Sequence, residues 1–389
     1  MKVLFVSNLF PDSTEPNRGL YNARLVHSLS KGCELRVLSP RPALPLLGNT
    51  PRKPRPEDVN LKPVFPPARY IPKIGSRFNH RLMAGSLRKP IQSLRQEFAF
   101  DVVLASWLYP DACGISILAQ EMDFPFVAVC QGSDAHQYLR NPNRRRAIVE
   151  SMASAARVAT RSRELARLLE DAGIANANLQ TIYNGVDTEL FHPIDKQAAR
   201  EALQLPLHDR IVLFVGNFYS VKNPSLLAKA FAKLRHDEPD AKYRLIMIGD
   251  GPEREAIIRS FIGTGYEQGT RFPGRQPAET VARYMQAADV LCVPSDNEGV
   301  PNVILEAFAS GLKVVATNVG GIPEILNDEQ LGTLVSANDA ETMATALRDE
   351  LNRSVAAEAI ADHAAQFTWQ RTADAYLRVL QEAASSRSD

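Results

Sequence analysis

Twelve short runs rich in Val, Ile, Leu and Phe punctuate the chain: Val3–Ser7, Glu34–Ser39, Val102–Ala105, Phe126–Cys130, Arg157–Thr160 and Leu179–Tyr183, then Ile211–Gly216, Arg244–Gly249, Thr270–Phe272, Val290–Pro294, Lys313–Thr317 and Gly332–Val335. They are apolar throughout and do not alternate, which suits parallel strands covered on both faces. Amphipathic stretches of helix length between them predict the right-handed crossovers of doubly wound α/β sheets. Six runs fall in each half, so the pattern predicts two such sheets. Turn residues at Asn184-Gly185-Val186-Asp187 and His192-Pro193 mark the break, giving an N-terminal domain over 1–191 and a C-terminal domain over 192–369. Phe367-Thr368-Trp369 opens a closing helix, about 370–389, with Tyr376, Leu377 and Leu380 on one face; it can stay with the second domain or cross back to the first. Residues 40–72 hold ten prolines, which helix and sheet interiors exclude, and predict a long extended excursion. The tail Ala384–Asp389 is expected to fray.

At 389 residues the chain exceeds one ordinary core, which agrees with two domains. No apolar run approaches the ~18 residues that cross a bilayer, and the opening Met1-Lys2-Val3-Leu4-Phe5-Val6 is too short for a secretory signal. Cys33, Cys113, Cys130 and Cys292 lie far apart, with no C-x-x-C pair and no histidine at metal-ligand spacing. Neither a disulfide framework nor a zinc site is indicated, and a reducing cytoplasm is the expected location. The charge is balanced overall, 45 cations to 44 anions, but residues 1–190 carry 25 against 17 and the rest 20 against 27. Residues 51–100 alone carry 11 cations against 3 anions. There Arg69-Tyr70-Ile71-Pro72-Lys73-Ile74 and Arg77-Phe78 interleave cations with apolar groups, a pattern that suits an anionic membrane surface. No nucleic-acid partner is expected.

The most informative segment is Ser295-Asp296-Asn297-Glu298-Gly299-Val300-Pro301-Asn302-Val303-Ile304-Leu305-Glu306, directly after an apolar strand. Gly299 and Pro301 turn the chain into a helix starting near Pro301 and ending at Gly311. The free N–H groups and positive dipole end of that helix make an anion site at the carboxyl end of a strand. Glu298 stays in the turn while Glu306 lies about 7–8 Å along the axis, so the two carboxylates meet different parts of one elongated ligand. A carboxylate that accepts two sugar hydroxyls is ordinary diol recognition. Upstream, Asn217 through Asn223-Pro224 sets Lys222 beside a second helix N-terminus, where it can neutralise a diphosphate as a point charge. Gly249-Asp250-Gly251-Pro252-Glu253-Arg254 has Arg254 where a dinucleotide fingerprint needs its third glycine, which disfavours a nicotinamide oxidoreductase.

These residues resemble the retaining family-4 glycosyltransferases, whose hallmark E-x7-E is matched by Glu298 and Glu306 within E-G-x-P-x-x-x-x-E-A-x-A-x-G. The likeness extends to the loop of Gly19, to Asn184-Gly185-Val186-Asp187, to Gly249-Asp250-Gly251-Pro252 and to Phe367–Trp369, and is nearest to bacterial cell-envelope and polysaccharide enzymes. It implies the GT-B fold, α/β with two Rossmann-like doubly wound parallel-sheet domains facing across a cleft. It further implies transfer of a sugar from a UDP- or GDP-linked donor to a glycan or lipid-linked acceptor by same-face substitution, without metal or cofactor. Glu306 would hold the ribose and Glu298 the transferred sugar, with Gly299, Val300 and Asn302 near the diphosphate and Lys222 on the leaving group. Gly19, Gln131, Asn217, Gly251 and Arg275 would complete the donor side. Two positions depart from the family pattern: Asn217 where an arginine is common, and Gln131 where histidine is common, a change that removes a group titrating near neutrality. Trp107, Tyr109, Asp134 and His136 are candidates for the acceptor side. A nucleotide-sugar epimerase of the same fold and a non-catalytic nucleotide-sugar sensor are the alternatives, and product analysis separates them.

Overall fold

The computed structural model describes residues 1–43, 52–72 and 74–385. Part of the proline-rich segment (44–51), Lys73 and the last four residues of the tail lie outside the described residues. The chain forms two compact units, one of residues 1–184 with 369–389 and one of residues 185–368.

In the first unit β1 (Lys2–Val6), β2 (Glu34–Leu38), β5 (Val102–Ser106), β6 (Phe126–Cys130), β7 (Arg157–Thr160) and β8 (Leu179–Thr181) form an all-parallel sheet in the order β2-β1-β5-β6-β7-β8. The two missing numbers are β3 (Arg41–Ala43) and β4 (Pro67–Arg69), a parallel two-stranded ribbon at either end of the proline-rich excursion. Sequence reasoning placed an extended excursion here and did not foresee this pairing. A ribbon has only edge strands, so proline costs no ladder bond on its outer side. The continuous apolar runs are explained by strand geometry: along β1, Leu4 and Val6 enter one core while Val3 and Phe5 enter the other. The helices Asn79–Glu97, Cys113–Met122 and Pro142–Met152 cover the first core. The helix Leu20–Leu29 and the closing helix Trp369–Ser385 cover the second.

The closing helix therefore belongs to the first unit, where Ala373, Tyr376 and Leu380 are fully buried. Thr372 Oγ1 donates to Tyr183 O at 3.0 Å, and Gly32 gives Leu377 room that a Cβ would close to 2.5 Å. The break between units falls before His192-Pro193. Val186 forms a parallel bridge with Thr368, its amide bonding Phe367 O at 2.7 Å, so residues 185–191 are tied to the second unit.

The second unit repeats the plan with β9 (Arg210–Val215), β10 (Tyr243–Ile248), β11 (Thr270–Gly274), β12 (Val290–Val293), β13 (Lys313–Thr317) and β14 (Gly332–Val335), all parallel in the order β11-β10-β9-β12-β13-β14. Val212, Phe214, Met247 and Cys292 pack under the helices Pro224–Asp237 and Ala340–Asn352. No helix among the described residues is long and apolar enough to cross a membrane.

Candidate functional site

In a doubly wound parallel sheet, successive crossovers turn outward in opposite directions on the two sides of one strand pair, leaving a crevice at the carboxyl ends there. For the second unit the pair is β9 and β12, and the two loops that leave it carry Lys222 and Glu298. Beyond β9, Phe218 is fully buried and anchors the loop, its amide bonding Asp250 O at 3.0 Å. Asn223, in the left-handed region at φ +45°, caps the next helix by accepting the Leu226 amide at 3.2 Å. Beyond β12, the Asp296 amide donates to Val221 O at 2.9 Å and Asp296 Oδ1 accepts from Asn223 Nδ2 at 2.8 Å, so the loops are stitched together. Lys222 Nζ then donates to Glu298 Oε1, which also accepts from Ser295 Oγ at 3.0 Å. The Glu298 side chain is 12% exposed and that of Lys222 32%.

The helix after this turn is Asn302–Ala309, one residue later than the sequence pattern suggests, with Pro301 as its cap. Among the described residues the amides of Gly299 and Val300 donate to no protein group, which leaves them open beside the helix N-terminus. Glu306 is half-buried, about 6 Å further along the helix axis than Asn302. Two neighbours of the turn escaped sequence reasoning. Gly320, at φ +55°, lies so close that a Cβ there would sit 1.7 Å from Glu298 O, and the Gly321 amide bonds Gly299 O at 3.0 Å. The Gly320-Gly321 pair just past an apolar run was the available signal.

Gly251 is required sterically: at φ +155° its Cβ would meet Phe218 O at 2.7 Å, so the loops after β9 and β10 touch backbone to backbone. Arg254, which spoils the dinucleotide pattern, donates through Nη2 to Phe272 O at 3.1 Å. Asn217 and Arg275 are exposed at the carboxyl ends of β9 and β11.

In the first unit the equivalent pair is β1 and β5. Gly19, at φ +64°, starts the helix Leu20–Leu29, and a Cβ would meet Leu9 O at 2.3 Å. Arg18 Nη2 reaches Asn8 Oδ1 at 3.0 Å and pins the same loop. Gln131 Nε2 donates to Asn22 Oδ1 at 2.6 Å and to Ser106 Oγ, so its amide N–H groups serve the protein. One acceptor-side candidate, Asp134, needs correction, and Tyr109 and His136 have partners of their own within the first unit. Asp134 is fully buried and accepts the amides of Leu108 (3.0 Å), Gln131 (2.9 Å) and Gly132 (2.8 Å). Burial pushes its carboxyl up against the pull of those amides, and it is a positioning residue for two loops. Tyr109 donates its hydroxyl to Ser76 O at 2.9 Å and offers a ligand only its ring. His136 stands 3.5 Å from Glu164 within the first unit, which gives it a structural partner. Asp111, also fully buried, accepts from the amide and side chain of Asn8 at 2.6 and 2.8 Å, and burial pushes its carboxyl up to about 7. Trp107 and Tyr109 line a pocket of 330 Å³ with Asn8, Tyr138 and Arg144. Among the described residues no group of three His, Cys, Asp or Glu side chains is gathered to hold a metal ion.

Residues 21–190 match the model described as Glycosyltransferase Family 4, and residues 195–367 match Glycosyl transferases group 1. The chain belongs to the family-4 glycosyltransferases. Within that family it is 36% identical over 232 residues to D-inositol 3-phosphate glycosyltransferase of Saccharomonospora viridis, a match covering 57% of this chain and 53% of the relative. The chain thus spans about half the length of the first curated relatives it matches. It is 27% identical over 361 residues, 89% of this chain and 88% of the relative, to a Bacillus subtilis protein provisionally named teichuronic acid biosynthesis glycosyltransferase TuaC. Among solved structures, Anabaena HepE in complex with UDP matches at TM-score 0.77 with 18% identity over 98% of this chain and 100% of that one. The lipopolysaccharide outer core galactosyltransferase WaaB matches at TM-score 0.71 with 14% identity over 98% and 99%. These two likenesses establish the fold, two Rossmann-like parallel-sheet domains of the GT-B class.

Proposed function

We propose that the protein is a retaining glycosyltransferase that moves a sugar from a nucleoside diphosphate sugar to a glycan or lipid-linked acceptor in envelope or exopolysaccharide synthesis. The observation that carries this reading is the Lys222–Glu298 pair beside the unengaged Gly299 and Val300 amides. One cation and two turn amides beside a helix N-terminus are groups that stabilise a departing diphosphate. Glu298 balances Lys222 until the diphosphate competes for the ammonium; the carboxylate is then released to accept hydroxyls of the transferred sugar, while Glu306 accepts those of the ribose. The bond from the anomeric carbon to the phosphate oxygen breaks, the acceptor oxygen bonds to the same face, and its proton passes to the departing phosphate. Lys222 and the amides supply the charge for this step, so EDTA is expected to leave activity intact. The names TuaC and WaaB support envelope glycans as the acceptor class, and the UDP bound by HepE makes UDP-sugars the first donors to try, ahead of GDP-sugars.

The test is product analysis with UDP- and GDP-sugars and glycan acceptors. A transferase releases nucleoside diphosphate as sugar moves to acceptor, and nuclear magnetic resonance shows an α-linked product from an α-linked donor. An isomerised nucleotide-sugar formed without acceptor identifies an epimerase, binding without turnover a sensor, and a β-linked product an inverting enzyme.

A lipid-linked acceptor would be met at the inner face of the plasma membrane, and the first unit carries a surface suited to it. Ile74 is 74% exposed, and Arg69, Arg77 and Arg81 nearby in sequence are also exposed, while Lys73 lies outside the described residues. Each cation near an anionic leaflet contributes about 1 kcal/mol, enough for reversible docking when four or five act together. The protein should co-sediment with vesicles containing phosphatidylglycerol, come off as salt rises, and fail to bind when Lys73, Arg77 and Arg81 are replaced by glutamate. Equal recovery on neutral vesicles would argue for a soluble acceptor.

A further inference from the structure

The pocket at the carboxyl ends of β1 and β5 has a volume of 330 Å³, within the range of about 300–1,000 Å³ typical of small-molecule sites. It lies at the switch point of the first sheet, where such folds bind ligands. Its walls are aromatic and braced. Trp107 meets the Tyr138 ring edge-on at 6.0 Å, Tyr138 meets Tyr109 at 6.3 Å, and the Tyr109 hydroxyl is tied to the Gly75 and Ser76 carbonyls. Trp107 holds φ +92°, a backbone region that bulky side chains rarely adopt, with its amide bonded to Val129 O and its carbonyl to the Ala112 amide, both at 3.0 Å. Strain of this kind persists where the surroundings over-determine it, and it gathers at functional sites.

Arg144 supplies the charge. The Asn141 side chain caps its helix and holds the Arg144 amide at 3.2 Å, and the guanidinium lies over the Tyr138 ring at 4.2 Å. Stacking on a ring engages the guanidinium face and leaves the N–H edge available. Arg144 Nε is buried without a hydrogen-bond partner, and among the described residues no carboxylate pairs with this side chain. By contrast Arg41 meets Asp12 and Arg200 meets Asp289. A half-buried planar cation without an anion, set among rings, is a receptor for a carboxylate or phosphate attached to a ring.

We propose that this pocket binds the acceptor, and that the acceptor is a sugar bearing an anionic group, its ring against Trp107 and Tyr109 and its phosphate or carboxylate paired with Arg144. This rests on the glycosyltransferase reading above and adds the acceptor's chemical class. The same chemistry is presented by a soluble sugar phosphate or uronate and by a sugar joined to a prenyl diphosphate.

The chain has two tryptophans, so a Trp369→Phe background makes Trp107 the sole indole reporter. In that background, with UDP present, glucose 1-phosphate, glucuronic acid, methyl glucoside and short-chain prenyl diphosphate glucose are titrated by fluorescence. Anionic sugars should shift Trp107 emission and bind at least about tenfold more tightly than methyl glucoside. Arg144→Gln should erase that preference, and Arg144→Lys, which keeps the charge but loses the fork, should retain part of it. Tighter binding of the prenyl diphosphate identifies a lipid-linked source, and equal or weaker binding a soluble one. Equal affinity for neutral and anionic sugars, no response to any anion, or a preference unchanged in both Arg144 variants would overturn the assignment. The titration requires no turnover, so it stands apart from the transferase reading, which fails instead if no acceptor ever receives sugar.

Discussion

Lys222→Ala is expected to lower kcat by about two to three orders of magnitude while donor affinity changes far less. The reason lies in when the charge is needed. Before reaction, the ammonium has a carboxylate beside it, since Lys222 Nζ donates to Glu298 Oε1. Contact with the diphosphate of the bound donor is therefore gained at the expense of an existing ion pair, and the net contribution to binding is modest. As the anomeric bond breaks, negative charge grows on the phosphate, and the same ammonium then interacts more strongly with the transition state than with the donor. Lys222→Arg should recover part of the rate, because it keeps the charge and changes only its shape. EDTA should leave the wild-type rate unchanged. A wild-type kcat in Lys222→Ala, or a strict requirement for a divalent cation, would refute this account.

The inner strands of both sheets were legible because parallel strands buried on both faces write themselves as unbroken apolar runs, and Val3–Val6, fully buried residue by residue, is the plainest case, whereas the edge strands β8 and β11 are only half-buried. Their order was not legible, since nothing local in β9 states that it lies between β10 and β12. For the same reason the sequence named Lys222 and Glu298 separately and did not foresee their contact, which spans 76 positions of chain. The ribbon of β3 and β4 was hidden by the prolines that make it short. Asp134 was misjudged because a carboxylate in a loop looks alike whether it faces ligand or three amides of its own backbone. Arg144 carried no signal at all: one of three consecutive arginines, it differs from Arg145 and Arg146 in being stacked on Tyr138.

The two glutamates should separate cleanly by calorimetry. Glu306 sits in the second turn of the helix Asn302–Ala309 and Glu298 in the turn before it, so a donor extended along the helix end meets them at different moieties. Glu306→Ala should weaken UDP binding itself, by about 1.5–3 kcal/mol for hydrogen bonds to a charged acceptor, roughly 10- to 150-fold. Glu298→Ala should do the opposite to nucleotide affinity. Removing that carboxylate frees Lys222 from its ion pair, and the ammonium then meets the diphosphate without competition, so UDP should bind as tightly as before or more tightly. Turnover should nonetheless collapse, because the transferred sugar loses its acceptor for hydroxyl hydrogen bonds. The gain in UDP affinity has a stated origin and can be checked by a double-mutant cycle: it should vanish in Glu298→Ala/Lys222→Ala, giving a coupling energy between the two sites. Parallel losses of UDP affinity in both single variants, or unchanged affinity in Glu306→Ala, would sink the division of labour between them. An additive cycle would mean that the Lys222–Glu298 contact does not govern access of the ammonium to the diphosphate.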